Sequence, residues 1–242
     1  MVIPNMIATF QKEKKMRLYI IRHGQTEWNS SYRLQGRIDI PLNENGRELA
    51  RKTGEAFARQ RICFERIYTS PLIRARETAE LVSKNSERIG LETPILADLH
   101  LQEISFGAME GERVRDENGV LNVENYIQFF NDPERYLPPE GGESFEALLE
   151  RTGEFLEMLR REALSFTEVN AHDEDAPEKN HSVGNVLIST HGAASRALLA
   201  NITHCSLRDF WCGGVPKNCA VTIVDLEDGV WKIKEQDRLF YD

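Results

Sequence analysis

The chain has 242 residues, 40% hydrophobic and 29% charged, the composition of an ordinary globular domain with enough residues for a substantial core. A net charge of −9 argues against a nucleic-acid partner, because binding a polyanion requires basic patches that displace counterions. No apolar run approaches the length of a membrane span, so no membrane association is expected. In residues 1–15, MVIPNMIATFQKEKK, the basic cluster follows a short apolar piece, the reverse of a secretory signal. A cytoplasmic protein is therefore expected, with residues 1–15 read as an N-terminal extension or an upstream start and residues 16–242 as a single domain. The cysteines, Cys63, Cys205, Cys212 and Cys219, include no CxxC pair, so reduced thiols and no metal site are expected.

Leu18 to Ile21 reads as a short strand buried on both faces, ending in Arg22, His23 and Gly24. An arginine and a histidine thus stand at the carboxyl end of a strand, where open α/β sheets bind ligands. Gly24 is expected to turn the backbone tightly beside the imidazole and leave room for a ligand, and Asn29 can return an amide to the same pocket. Ser30 to Leu42 reads as a loop over the sheet edge. A helix capped by Asn43 follows, with Leu49, Ala50, Thr53, Ala56 and Phe57 on its core face. Phe64 to Thr69 is a second strand, expected to pair with the first through that helix as a right-handed βαβ unit. Pro71 is expected at the first position of the next helix, with Arg74 in its first turn, where helix dipole and guanidinium both favour an anion. Pro94 to Leu96 reads as a short strand ahead of Glu103.

Gly107 to Gly142 loses strand character and carries a helix near Val123 to Phe130. A long helix then starts at Glu143-Ser144, its stripe of Phe145, Leu148, Leu149, Thr152, Phe155, Leu156 and Leu159 marking core. Ser165 to Gly184 is polar and acidic and reads as a flexible loop, whose His172, Asp173, Asp175 and His181 are taken as solvated rather than metal-binding. Asn185 to Thr190 repeats the design of the first strand and ends in His191-Gly192. Ala193 to Ile202 reads as a small-residue helix on the sheet. Ala220 to Asp225 and Val230 to Lys234 form a hairpin turned at Asp228-Gly229. Two parallel strands that each deliver His-Gly to one sheet edge bring two imidazoles together, which a core histidine does not require.

Four blocks carry a resemblance: Arg22-His23-Gly24-Gln25-Thr26-Glu27-Trp28-Asn29; Ser70-Pro71-Leu72-Ile73-Arg74-Ala75 with Thr78-Ala79; Leu101-Gln102-Glu103 with Phe106-Gly107 and Glu110-Gly111; and Ser189-Thr190-His191-Gly192. In this order they resemble the histidine phosphatase superfamily, in its phosphoglycerate mutase-like branch. The resemblance implies a three-layer α/β/α sandwich around a mostly parallel sheet and a site that needs no cofactor. His23 would be the nucleophile, and Arg22, Arg74 and His191 would surround the phosphoryl oxygens. Glu103 would be the proton donor, its pKa raised by apolar surroundings from Ile104 and Phe106. Asn29, Gln35, Gly36 and Gly192 would contact phosphate or substrate. Residues 107–142 would form a lid that selects substrates. Because the net charge opposes long-range attraction of a phosphate ester, attraction must be local, from Arg22 and Arg74 with Arg33, Arg37, Arg113 or Arg115 as further candidates.

Three functions compete. The first is a metal-independent phosphomonoesterase that acts on small phosphorylated metabolites through a phosphohistidine. The second is a cofactor-dependent phosphoglycerate mutase, which characteristically reads Arg-His-Tyr-Gly after the glutamate where this chain has Ile104-Ser105-Phe106-Gly107. The third is a catalytically silent protein that binds a phosphorylated ligand. The sequence leaves the identity of the ester and the oligomeric state open.

Overall fold

The computed structural model describes residues 16–84, 93–114, 120, 124–169 and 184–242. The extension 1–15, Arg115, His172, Asp173, Asp175 and His181 lie outside the described residues. Strands β1 (Met16–Arg22), β2 (Arg66–Thr69), β3 (Ile95–Ala97), β4 (Asn185–Thr190), β5 (Val221–Glu227) and β6 (Val230–Arg238) form one sheet in the order β3-β2-β4-β1-β5-β6. The β1–β4, β2–β4 and β2–β3 pairs are parallel, whereas β1–β5 and β5–β6 are antiparallel. The second strand therefore pairs with β4 and not with β1. The strand pattern shows that both are buried but carries no information on which neighbours touch.

The helices are α1 (Glu27–Ser30), α2 (Glu44–Arg59), α3 (Ile73–Ser83), α4 (Glu124–Asn131), α5 (Phe145–Val169) and α6 (Gly192–Thr203). Side chains alternate across a strand, so β1 feeds two cores at once. Leu18 and Ile20 join Val186 and Ile188 under Phe155, Leu159 and Leu198 of α5 and α6. Tyr19 and Ile21 join Ile67 and Leu187 under Ala50, Phe57 and Val82 of α2 and α3. The result is a three-layer α/β/α sandwich around a mostly parallel sheet. A third apolar cluster, containing Phe106, Phe129, Phe145 and Phe210, gathers beside the first turn of α6.

Some local expectations shift. Helix α3 begins at Ile73 with Leu72 as its cap, so Pro71 stands one residue outside the helix. The exposed first-turn amide of Ile73 donates instead to Asp39 (2.6 Å), a partner too distant in sequence to be read from local capping rules. Helix α5 continues through residues 165–169, and residues 170–183 of the expected loop are outside the described set. Among the described residues, no helix is long and apolar enough to cross a membrane.

Gly24 serves a different neighbour from the one expected. A Cβ there would lie 2.6 Å from the carbonyl oxygen of Gly46, and a Cβ on Gly46 would lie 2.1 Å from the carbonyl oxygen of Gln25. The two glycines let the first turn of α2 sit directly against the backbone that carries His23. Gly54 makes a similar approach to α3, where its Cβ would meet the Val82 carbonyl oxygen at 2.6 Å, away from the histidines. Either glycine replaced by alanine should cost about 1–3 kcal/mol by overpacking, read from urea denaturation. Gly46→Ala should also lower turnover, because it moves the segment beside His23, whereas Gly54→Ala should lower stability alone.

Candidate active site

Strands β1 and β4 lie in register, with Arg22 opposite Thr190, and the His23 amide donates to the Thr190 carbonyl (2.9 Å). The next residues, His23 and His191, consequently leave the sheet side by side. Their ring centroids are 5.1 Å apart and inclined by 59°, and both side chains are buried. His23 Nδ1 lies 2.7 Å from the Gly24 carbonyl oxygen. A carbonyl only accepts, so the proton belongs on Nδ1 and the lone pair on Nε2. Burial, followed by the Arg74 and Arg22 charges, holds His23 well below the ordinary imidazole range. His191 is held down by burial first and then by Arg74 and His23.

Both guanidiniums are fixed by carbonyls at their outer nitrogens. Arg22 Nη1 donates to the Pro216 carbonyl, and Arg74 donates through Nη1 to Ile38 (2.9 Å) and through Nη2 to Gly36 (2.7 Å). Burial lowers the Arg22 pKa and pulls that of Arg74 down to about 10, which leaves Arg74 charged at neutral pH. Their inner nitrogens are left over. Among the described residues, five buried side-chain polar atoms have no hydrogen-bond partner, and four of them are Arg22 Nε, Arg74 Nε and the two ring nitrogens of His191. Buried polar groups are ordinarily satisfied, and the Nε–H groups of both arginines together with the single N–H of a neutral His191 ring are donors without an acceptor, a set that suits an acceptor-rich anion.

Glu103 reaches the same place from another direction. Its Oε1 accepts from the amides of Ile104 (3.0 Å) and Ala194 (3.0 Å), and its Oε2 from Ala193 (3.2 Å), at the amino end of α6. The expected apolar setting is thus replaced by three backbone donors, while Ile104 turns into the third apolar cluster. Gly192 keeps the space open. A Cβ there would stand 3.5 Å from Glu103 Oε2 and 3.8 Å from Arg22 Nε.

The remaining assignments divide. Asn29 lines the pocket, but its Oδ1 takes the amide of Thr26 (3.1 Å), which leaves Nδ2 as the group able to face an anion. The Gln35 Oε1 accepts from Thr26 Oγ1 (2.9 Å), and the Gly36 carbonyl is held by Arg74, so both line the site with those oxygens already engaged. Of the further arginines, Arg33 lines the pocket. Arg37 spans the Glu103 carbonyl and the Glu143 carboxylate, and Arg113 Nε donates to the Ser31 carbonyl.

Three supporting residues escaped the sequence reading. Glu110 accepts from the amides of Arg37 (2.9 Å), Ile38 (3.0 Å) and Phe106 (3.0 Å), and so pins the loop whose carbonyls orient Arg74. Gly36, at φ +50°, has no room for a side chain there, since its Cβ would meet Glu110 Oε1 at 2.0 Å. Thr78 accepts the Gly24 amide (2.9 Å) and donates to the Arg74 carbonyl (2.7 Å), tying the backbone beside His23 to that of Arg74. Asn218 donates to the His23 carbonyl (3.0 Å) from the loop before β5. Glu110 and Thr78 stand within the family-like blocks, a signal of position without role. Asn218 carries no such signal.

A cavity of about 100 Å³ is lined by Arg22, His23, Asn29, Arg74, Glu103 and Gly192, whereas His191 is not among the lining residues. Its outer wall comes from the expected lid region and the loop after α6, through Tyr126, Phe129, Phe130 and Trp211. The arrangement offers a neutral imidazole nitrogen, two fixed cations and a carboxyl group around one small volume, with a second imidazole packed beside the first. Such a set suits nucleophilic transfer of an anionic group.

Known proteins give the same picture. The model of the histidine phosphatase superfamily (branch 1) matches residues 18–238. The chain is 31% identical to a metal-independent phosphoserine phosphatase of Arabidopsis thaliana over 222 residues, 89% of this chain and 79% of that one. It is 27% identical to a 2,3-bisphosphoglycerate-dependent phosphoglycerate mutase of Corynebacterium kroppenstedtii, over 88% of this chain and 87% of the other. The solved structure of Bacillus stearothermophilus YhfR superposes with a TM-score of 0.72 at 30% identity, covering 94% of this chain and all (100%) of that one. The paired histidines at one sheet edge and the match along nearly the whole domain lead to one conclusion: the chain belongs to branch 1 of the histidine phosphatase superfamily.

Proposed function

We propose that the protein is a metal-independent phosphomonoesterase that hydrolyses small phosphate esters through a phosphohistidine at His23. The observation that carries this reading is the set of unpartnered buried donors of Arg22, Arg74 and His191 beside the neutral ring of His23. In the first step the Nε2 lone pair of His23 attacks phosphorus and the bond to the ester oxygen breaks. Glu103, entering as the acid, gives its proton to the departing alkoxide. In the second step a water oxygen attacks phosphorus, Glu103 takes its proton, the P–N bond breaks and inorganic phosphate leaves. The guanidiniums supply the fixed positive charge that phosphoryl transfer requires, so side chains fill the part that metal ions play elsewhere. The Arabidopsis relative's name supports a metal-independent hydrolase. Ile104-Ser105-Phe106-Gly107, in place of the mutase-like Arg-His-Tyr-Gly, supports hydrolysis over mutase chemistry.

Quenching the protein mixed with a 32P-labelled ester in alkaline detergent should trap label on His23 that survives alkali and is lost in acid, and His23→Ala should trap none. A protein that only binds its ligand would trap none in either form, and a mutase would isomerise 3-phosphoglycerate faster than it releases phosphate. EDTA should leave phosphate release unchanged.

Glu103→Gln should slow phosphoenzyme formation from an alkyl phosphate by roughly a hundred- to ten-thousandfold. With an aryl phosphate, whose leaving group needs no proton, the same variant should form phosphoenzyme at nearly the wild-type rate in a single turnover. Equal slowing of both would remove Glu103 from the acid role.

The pH profile follows from the depressed His23. A base with a lowered pKa stays unprotonated at pH values where a free histidine is already charged, so the acid limb of kcat/KM should lie below pH 6.5. Arg74→Met removes one cationic cause of the depression and leaves the larger one, burial. Its acid limb should move upward relative to the wild type on the same substrate, alongside a rate loss of about a hundredfold or more.

A further inference from the structure

Beyond the phosphoryl site, the pocket wall changes character. Leu34, Phe106, Phe129, Tyr126, Phe130 and Trp211 supply the surface that an ester's alcohol portion would meet. Phe106 and Phe129 are buried, whereas Tyr126, Phe130 and Trp211 are half-buried and reach the opening. The three rim rings are mutually braced: Tyr126 meets Phe130 edge-on at 5.0 Å, and Phe130 meets Trp211 at 5.0 Å with 49° between planes. The indole N–H of Trp211 already donates to the Phe129 carbonyl (2.6 Å), so the ring offers the pocket a face rather than a donor.

Charge is scarce on this wall. Past Arg22 and Arg74, the further cation lining the pocket among the described residues is Arg33, whose Nη1 is taken by the Gly111 carbonyl (2.7 Å). A short alcohol bearing a carboxylate would have to set that charge against aromatic rings, at a desolvation cost that one partly engaged arginine offsets poorly. A planar apolar group would extend the edge-to-face packing already present and remove apolar surface from water.

We infer that the preferred substrates are phosphate monoesters whose alcohol portion is planar and apolar, seated against Tyr126, Phe130 and Trp211. This rests on the phosphomonoesterase reading above and assigns the substrate class of the same site. Arg33 then stands at the rim, and the carboxylated esters typical of amino-acid and glycerate metabolism are poor substrates.

The test compares 2-phenylethyl phosphate with ethyl phosphate, O-phosphoserine and 3-phosphoglycerate on the full chain. All four are alkyl esters, so differences report recognition of the alcohol more than leaving-group quality. The kcat/KM for 2-phenylethyl phosphate should exceed that for ethyl phosphate by roughly a hundredfold and should exceed both carboxylated esters. Phe130→Ala and Trp211→Ala should each shrink the phenylethyl-to-ethyl ratio by about tenfold, mostly through KM, and Trp211→Phe should recover part of it. Trp211 also packs on Phe129 and Phe145, so Phe130→Ala gives an answer if the tryptophan variant does not fold. A higher kcat/KM for either carboxylated ester, or a ratio unmoved in folded Phe130→Ala, overturns the inference and leaves the phosphatase reading standing. Release of phosphate from none of the four, with no trapped phosphoenzyme, overturns both.

Discussion

Everything in the site depends on the parallel pairing of β1 with β4. The hydrogen bond from the His23 amide to the Thr190 carbonyl sets the two strand ends level, so the residue after each leaves the sheet at the same height. A one-residue slip would turn one imidazole to the opposite face of the sheet. Such a slip is opposed because Leu18 and Ile20 face one core while Tyr19 and Ile21 face the other, and it would exchange the two sets. The same burial that fixes the fold therefore fixes the spacing of the two rings.

Holding positive charge ready in a buried place is unfavourable, and the structure shows how it is maintained. Each guanidinium is tethered by carbonyls at its outer nitrogens, while the inner nitrogens are left without a partner. The tether on Arg74 is itself held: Glu110 gathers the amides of Arg37 and Ile38, and Thr78 links the helix backbone at Arg74 to Gly24. These interactions are made when the chain folds, so the guanidiniums need little reorganisation to meet an anion. The local field also resolves an apparent contradiction in a chain of net charge −9, since only the cavity needs to attract an anion. The two imidazoles are kept neutral by the burial and the cations around them, which preserves a lone pair on His23.

Much of the site was readable along the chain because its parts are local. Arg22-His23 and Thr190-His191 each end an apolar run, Arg74 sits in a first helical turn, and Glu103 stands within one of the family-like blocks. What misled was surroundings. Glu103 is followed by apolar residues in sequence, yet its carboxyl group rests on the amides of Ile104, Ala193 and Ala194, two of them some ninety positions away. Gly24 looked like a ligand-facing glycine and turned out to be a contact for Gly46. Asn218 and Glu110 have ordinary side chains whose importance lies entirely in which backbone groups they meet.

By itself, then, the order of residues determined the alternation of strand and helix, the two histidine-bearing strand ends, and the family-like blocks in which Arg74 and Glu103 stand. Periodicity and short motifs encode these, because they depend on neighbours within a few positions. Only the tertiary structure decided that β4 lies between β1 and β2, which nitrogens of the guanidiniums are left unpaired, and that an aromatic wall closes the outer side of the pocket. Strand order, donor satisfaction and ring packing are set by contacts between segments far apart in the chain, and no local pattern records them.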